Sequence, residues 1–205
     1  MAISASLGTA GLKQGVCTST TRPTGPYEGQ MIYETDTDMV AIWNGSAWRY
    51  IAATTPTNGT VLQVASTTIT GATSTSSSSF VDISGLSVSI TPKSSSSKIM
   101  VSATLMVSGA STDDTFYNLV RGSTAIGQGT GASNNQTLYI RMTDSLFPEV
   151  AHMQFLDSPS TTSSTTYKVQ YRTRVGTLYV NNRAYDGGSF TISGISTITA
   201  QEIAG

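Results

Sequence analysis

The chain has 205 residues and carries little charge: 11 Lys and Arg stand against 12 Asp and Glu, a net charge of −1. This balance, with no basic stripe and no polybasic cluster, excludes a nucleic-acid surface and an electrostatic membrane anchor. Cys17 is the only cysteine, so an intrachain disulfide is excluded as well. No window reaches the ~20 apolar residues of a membrane span, and the N-terminus lacks the pattern of a signal peptide. We therefore expect a soluble protein made inside a cell, with no nucleic-acid partner and no membrane insertion.

The first 26 residues are small, polar and rich in glycine, and they end in Arg-Pro-Thr-Gly-Pro. Proline fixes its own φ and biases the residue before it toward extended backbone. We predict an extended attachment arm over residues 1–26, with no core of its own.

Residues 27–52 have the pattern of a small three-stranded hairpin module. Strands are predicted at residues 30–34, 39–43 and 47–51. Asn44-Gly45 favours a tight turn between the last two strands. Three short strands bury an apolar side poorly on their own, so we expect this module to pack on a neighbour, most simply a copy of itself. Its candidates for assembly or attachment contacts are Tyr33, Trp43, Trp48 and Tyr50.

Residues 53–59 are predicted to be a linker, and residues 60–205 alternate apolar and small hydroxyl residues along many short strands. The clearest run is 98–107, where a period of two places one face in a core and the other against water. The strand candidates are residues 61–70, 80–83, 86–90, 98–107, 115–121, 138–142, 150–156, 166–175, 178–181 and 190–203. The Ser74–Ser79 tract is interpreted as a loop. This pattern, almost free of helical periodicity, predicts an all-β sandwich or barrel.

Two parts of the sequence resemble structural proteins of tailed bacteriophages. The stretch from Arg22 to Trp48, which contains Gln-Met-Ile-Tyr-Glu-Thr-Asp, resembles a segment near the base of fibre-like chains. The segments that resemble the globular module of phage fibres are residues 80–92, 97–101, 119–127, 155–159 and 166–170. The resemblance covers nearly everything after residue 21. It implies a C-terminal jelly roll, similar to tumour necrosis factor, that assembles as a trimer without enzyme activity, cofactor or metal.

The function that the resemblance implies is that of a virion structural protein, assembled in the cytoplasm of the bacterial host. It would be a short homotrimeric tail or baseplate fibre whose knob binds a glycan or protein of the host surface. Residues 1–52 would contact other virion proteins. A capsid decoration protein or head fibre is the nearest alternative. A glycan-degrading tailspike-type enzyme is a second alternative, against which the 12 scattered acidic residues argue.

No grouping of residues predicts a catalytic or metal site. His152 is the only histidine and lies in a strand pattern, so we expect a packed or exposed sheet histidine and not a base. Loop aspartates usually stabilise turns, which is the role expected for Asp36 and Asp38. The acidic residues expected to cluster in loops are Asp113, Asp114, Asp144 and Glu149. The glycines from Gly127 to Gly131 lack the strand-and-helix context of a phosphate site and predict a flexible loop.

The strand at residues 166–175 has two distinct faces. Tyr167 and Tyr171 share one face, and Lys168, Gln170, Arg172 and Arg174 share the other. Either the tyrosine face packs inside the sandwich and the charged face is solvated, or one of the two faces lies at a subunit interface, for which Tyr167 and Tyr171 are the candidates. Loops 109–115, 122–136 and 185–189 are candidates for the outward surface. Their candidate contact residues are Asp113, Asp114, Gln128, Asn134, Asn135, Tyr185 and Asp186.

Overall fold

The computed structural model describes residues 15–51, 56–131, 135–145, 147–183 and 192–205. Over these residues the chain forms fifteen β-strands and no helix, which confirms the predicted all-β class. The chain divides into two compact units, Met1–Thr55 and Pro56–Gly205. Each unit has its own sheets and its own buried residues.

The N-terminal unit is built on one four-stranded sheet in the order β1-β2-β3-β4. Its strands are β1 (Gly15–Cys17), β2 (Met31–Glu34), β3 (Met39–Trp43) and β4 (Trp48–Ile51). β2, β3 and β4 are antiparallel neighbours and lie where the sequence predicts strands. β1 pairs parallel with β2, and its three residues are too few to show an alternating pattern. Residues 15–17 therefore belong to the sheet and not to a free arm; residues 1–14 of the predicted arm lie outside the described residues.

The connection between β3 and β4 is wider than the tight turn that the sequence suggests. Trp43 pairs with Trp48 across the strands, which leaves a four-residue loop. The Asn44 N–H donates to the Ala47 carbonyl over 3.1 Å. The Asn44 Oδ1 accepts from the backbone N–H of Ser46 at 3.1 Å and of Ala47 at 2.9 Å. An asparagine side chain that bonds to the backbone ahead of it closes such a loop without a two-residue turn.

The C-terminal unit consists of a five-stranded and a six-stranded sheet. The five-stranded sheet contains β7 (Val81–Ile90), β9 (Asp114–Arg121), β10 (Thr124–Ile126), β11 (Leu138–Arg141) and β13 (Thr165–Thr173). Its order is β10-β9-β13-β7, and β11 also pairs with β9. The six-stranded sheet contains β5 (Val61–Ile69), β6 (Thr73–Thr75), β8 (Lys98–Ser108), β12 (Glu149–Asp157), β14 (Leu178–Val180) and β15 (Ser196–Ile203). Its order is β5-β15-β8-β14-β6, and β12 pairs with β8.

The inner faces of these two sheets share one hydrophobic core. From the six-stranded sheet, β8 contributes its alternating apolar residues, of which Leu105 and Val107 are fully buried. From the five-stranded sheet, β7 contributes Leu86 and β9 contributes Leu119, both also fully buried. Burying a side chain of this size stabilises the fold by about 1.5–3 kcal/mol. The period-two pattern of residues 98–107 is therefore confirmed as the centre of a two-sheet sandwich.

β7 is one strand where the sequence pattern predicts two. The alternation breaks at Gly85, which has a φ of +77°. On the facing strand the register shifts between Lys168 and Gln170. This is an irregularity of the β-bulge type, in which extra residues on β7 interrupt the pleat without ending the strand. The short β6 and β10 were also outside the predicted strands, and β6 includes Ser74 and Thr75 from the tract interpreted as a loop.

Tyr167 and Tyr171 lie inside the sandwich and not at a subunit interface. They are 0% and 2% exposed and belong to the shared core. The Tyr167 hydroxyl donates to Asp157 over 2.7 Å, and the Arg121 Nη1 lies 2.8 Å from both oxygens of the same carboxylate. Burial raises the pKa of the Tyr167 hydroxyl, and the hydrogen bond to Asp157 raises it further. The interface interpretation of this tyrosine face is thus wrong, and the core interpretation is right.

Candidate binding surface on the five-stranded sheet

The outer face of the five-stranded sheet carries side chains of several chemical types. On β13 the residues Lys168, Gln170 and Arg172 alternate with the buried core residues and therefore lie on the outer face. The register places Gln170 opposite Asn118 of β9 and Arg172 opposite Phe116. Two strands thus bring cationic, amide and aromatic groups together on one surface.

Arg172 lies against two aromatic rings on this face. Its guanidinium carbon is 3.8 Å from the ring centroid of Phe116 and 5.0 Å from that of Phe80. These distances are within the range of cation–π contacts, which hold the guanidinium in a fixed plane. Among the described residues, the Arg172 guanidinium has ring contacts but no hydrogen bond and no ion pair. Its N–H groups are therefore held in position but donate no hydrogen bond to any described residue.

An open cleft of about 390 Å³ lies beside this guanidinium. It is lined by Ser78, Ser79, Phe80, Asn118, Gln128, Asn135 and Arg172. Gln128 and Asn135 are surface candidates from the sequence, and the structure brings them to the same cleft. Phe80, Asn118 and Arg172 were not among the candidates. Only the strand register, which no local pattern reveals, places them together.

Amide groups fix one wall of the cleft. The Gln128 Nε2 donates to the Asn118 Oδ1 at 3.1 Å and to the Asn135 carbonyl at 2.9 Å. The Thr137 N–H also donates to the Asn118 Oδ1, over 3.2 Å. Asn118 is 4% exposed and belongs to β9, so the sheet itself holds the loop in place. Both protons of the Gln128 amide are engaged, which leaves its carbonyl oxygen as the group available to a ligand.

The start of this loop is held by a close contact with the six-stranded sheet. Gly127 follows β10 with a φ of +63°, and a Cβ there would lie 2.9 Å from the Phe155 ring. Only glycine tolerates both the backbone conformation and the contact. Close packing therefore accounts for Gly127, whereas a Cβ at Gly129 or Gly131 would meet nothing within 4 Å.

Asp113 and Asp114 are buried and bonded within the chain, so neither is a free carboxylate on a surface loop. They are 3% and 8% exposed. Asp113 accepts hydrogen bonds from the Thr173 hydroxyl and from the Val175 N–H, the latter at 2.9 Å. Asp114 accepts from the Tyr139 hydroxyl at 2.7 Å. The two neighbours therefore have separate partners and separate structural roles.

Asp114 is the centre of a charged cluster at one end of the outer face. Arg174 lies 2.9 Å from its carboxylate and Arg141 lies 3.1 Å from it. The hydrogen bond from Tyr139, followed by that from Arg174, holds the pKa of Asp114 below its usual value. Asp82 is engaged in a similar way, because Lys168 lies 2.7 Å from it and lowers its pKa. Arg172 is thus the cation of this face that has no carboxylate beside it among the described residues.

The outer face of the six-stranded sheet is chemically simpler. Hydroxyl pairs run along it, such as Ser66 with Thr199 at 3.0 Å and Thr68 with Thr197 at 2.8 Å. His152 lies on β12 as an exposed sheet residue, 2.9 Å from the Thr104 hydroxyl. Such cross-strand hydroxyl pairs stabilise a sheet and offer little chemistry.

In the N-terminal unit, one face of the sheet is buried around a carboxylate. Glu34 is 0% exposed. It accepts hydrogen bonds from the Arg22 guanidinium, the Tyr50 hydroxyl at 2.9 Å and the Thr37 hydroxyl at 3.1 Å. The hydrogen bond from Arg22 is the main reason why the pKa of Glu34 is lowered. Trp43 and Trp48 extend this face through an edge contact of 5.7 Å between ring centroids.

The opposite face of that sheet, here called the apolar face, is formed mainly by apolar residues, with the charged Arg49 opposite Ile42 on β4. Its other members are Val16, Met31, Tyr33, Val40, Ile42 and Ile51. Val16, Met31 and Ile51 are 67%, 38% and 50% exposed. Val16, Tyr33, Val40 and Ile51 follow one another across the four strands in register. Tyr33 is the one aromatic candidate on this face, and its hydroxyl donates to Asp38.

Three sequence candidates, Asn134, Tyr185 and Asp186, lie outside the described residues. Within the described ranges, no group of His, Cys, Asp and Glu side chains is placed to hold a metal ion. Those ranges also contain no helix that is long and apolar enough to cross a membrane. Neither protein-family models nor curated proteins give a match to this chain.

Proposed function

We propose that this chain is a non-enzymatic structural protein of a tailed-phage virion, a short homotrimeric fibre. Its N-terminal unit would provide assembly and attachment, and its C-terminal unit would be a jelly-roll knob that presents a binding surface to the host. The proposal rests on the sequence resemblance to phage fibres. The observation that supports it best is the exposed apolar face of the N-terminal sheet.

An exposed apolar face on a short sheet favours association. Each large aliphatic side chain that is removed from water contributes about 1.5–3 kcal/mol, and monomeric proteins rarely leave contiguous apolar patches open. The face reaches from edge to edge of the sheet, from Val16 on β1 to Ile51 on β4. We assign it to contacts between copies of the chain. A trimer is the state that the resemblance to phage fibres implies.

The buried carboxylates of the sandwich support a structural role. Asp113, Asp157 and Glu202 are all 5% exposed or less. The carboxylate of Glu202 accepts from the Gln63 Nε2 and from the Lys93 N–H, both at 2.6 Å. Carboxylates tied in this way support loops and strand ends, whereas a catalytic pair needs two that face a common substrate.

The association is tested by measuring the mass of the full chain by light scattering at micromolar concentration. We expect the wild-type protein to be a trimer and Val16→Glu to dissociate it, because three buried carboxylates would meet at the apolar face. Val150→Glu is the matched control, since Val150 has the same 67% exposure on β12. A monomeric wild type overturns the proposal. If Val150→Glu dissociates the protein and Val16→Glu does not, the assembly surface lies on the sandwich instead.

The place in the virion is tested by labelling intact particles with an antibody to this chain. Label at the tail or baseplate supports a fibre. Label on the head would instead make the chain a capsid decoration protein or head fibre.

A further inference from the structure

We propose that the cleft beside Arg172 binds an acidic sugar, with the sugar carboxylate on the Arg172 guanidinium. This inference rests on the proposed function, because it names the class of host ligand that the knob would take. The site is formed by Phe80, Arg172, Asn118, Gln128 and Asn135, together with Ser78 and Ser79 at its rim.

The Arg172 guanidinium has the properties of an anion-binding group. The rings of Phe116 and Phe80 hold it by contacts of 3.8 and 5.0 Å, so little side-chain entropy is lost when a ligand binds. Its planar N–H donors match a carboxylate in two parallel hydrogen bonds. Among the described residues no carboxylate occupies them. A ligand anion would therefore meet donors that are fixed in place and unpaired.

The surrounding charge favours an anion over a neutral ligand. Four cations lie on the outer face of the sheet: Arg141, Lys168, Arg172 and Arg174. The described carboxylates on that face are Asp82 and Asp114, which leaves an excess of two positive charges. The whole chain has a net charge of −1, so this excess is local. Local positive charge raises the concentration of anions near the cleft.

The remaining groups of the cleft suit the hydroxyls of a sugar. Gln128 offers its amide carbonyl, because both its amide protons are already bonded. Ser78 and Ser79 bring hydroxyls to the rim, and half-buried Phe80 supplies an apolar wall. A volume of about 390 Å³ lies in the range of small-ligand sites. An open cleft of this size accommodates one or two sugar rings of a longer chain.

The experiment is a calorimetric titration of the full-length wild-type protein with oligogalacturonate of three to four units. Neutral galacto-oligosaccharides of the same length serve as the ligand control. We expect the acidic sugar to bind at least about tenfold more tightly, the effect of a charge-assisted hydrogen-bond pair. Equal affinity for both sugars, or no binding of either at millimolar concentration, would overturn the assignment.

Two matched variants locate the binding. Arg172→Gln should lower the affinity for the acidic sugar by about tenfold or more. Arg174→Gln removes the same charge from the same face but outside the cleft lining, and should change affinity by less than about threefold. Equal losses in both variants would show general electrostatic attraction and would contradict the site. Arg172→Gln also removes a packing contact with Phe116, so Ser78→Trp serves as a second variant. It fills the cleft without removing a described hydrogen bond. Unchanged affinity of Ser78→Trp for the acidic sugar would also contradict the proposal.

Adsorption to host cells separates this inference from the proposed function. Labelled wild-type protein and Arg172→Gln are compared for binding to the phage host. If wild type binds cells and the variant binds equally well, the attachment function stands and the sugar site is wrong. If wild type binds no host cells, the proposed attachment function fails, whatever the sugar titration shows.

Discussion

The C-terminal sandwich buries the inner faces of both its sheets, whereas the N-terminal sheet buries one face and leaves the other exposed. In the sandwich the core is almost entirely apolar, with Leu105 and Ile198 at its centre. In the N-terminal unit the buried face is organised around the Glu34 carboxylate and its donors. A core that closes within one chain needs no partner, and a single sheet with an open apolar face does. This difference is the basis of our proposal that one unit provides fold stability and the other provides association.

The largest expected effect concerns the core of the sandwich. Leu105→Ala should lower the free energy of unfolding by about 2–5 kcal/mol, because it leaves a cavity where both sheets meet. Leu156→Ala is the matched control, since Leu156 is 42% exposed on β12; it should cost less than about 1 kcal/mol. Urea denaturation measures both. Similar losses in the two variants would mean that residues 98–107 do not form the centre of the core.

A smaller effect concerns the pH dependence of the sandwich. Burial would raise the pKa of Glu202, but hydrogen bonds from neighbouring donors outweigh it and hold the pKa below the usual value. The unfolded chain therefore takes up this proton first as the pH falls. The stabilisation is complete above the ordinary glutamate pKa of about 4.3 and is lost below it as the pH approaches the folded value.

Glu202→Gln is the variant that isolates this carboxylate. At pH 7 it should cost about 1–3 kcal/mol, because the amide keeps one acceptor oxygen and its NH₂ cannot accept the second of the two hydrogen bonds from Gln63 and Lys93. The difference in melting temperature between wild type and variant should shrink between pH 6 and pH 3. A difference that stays constant over this range would show that Glu202 is not ionised in the fold.

The smallest expected effect is a change in the stability of the sandwich when the N-terminal unit is altered. It shows whether the two units are independent. Changing both Trp43 and Trp48 to Ser should destabilise the N-terminal unit and weaken assembly, because their edge contact is lost. The melting transition of the sandwich should stay within about 1 kcal/mol of wild type. Tyr27→Ser is the control, since Tyr27 is 70% exposed. Calorimetry measures both melting transitions. An equal loss of stability in both would contradict the division into two units.

Alternation of apolar and hydroxyl residues is a local signal, and it predicted the long strands well. β8 follows it closely because one of its faces is buried. The three-residue strands β1, β6 and β10 are defined by their partners and not by their own sequence. Gly85 interrupts the pattern of β7 without ending the strand. β6 pairs over a long sequence distance, whereas β10 pairs with the adjacent β9 and is too short to show an alternation.

The candidate cleft was only partly predictable, for the same reason. Gln128 and Asn135 stand out in the sequence because they lie in a polar, glycine-rich loop. Arg172 gives no such signal, because its role depends on Phe80 and Phe116 from two other strands. Asp113 and Asp114 looked like exposed loop residues, yet both are buried and accept hydrogen bonds from Thr173 on β13 and Tyr139 on β11 respectively. Sequence shows which residues are polar, and only the sheet register shows which of them remain unpaired.

The contact between Gly127 and Phe155 has a consequence for how this surface can diversify. The glycine anchors the beginning of the loop that carries Gln128. Side chains further along that loop can change without moving the anchor, so new ligand preferences can arise by single substitutions at the rim. A larger residue at position 127 would clash with Phe155 next to Gln128, and libraries selected for altered recognition should retain glycine there while neighbouring positions vary.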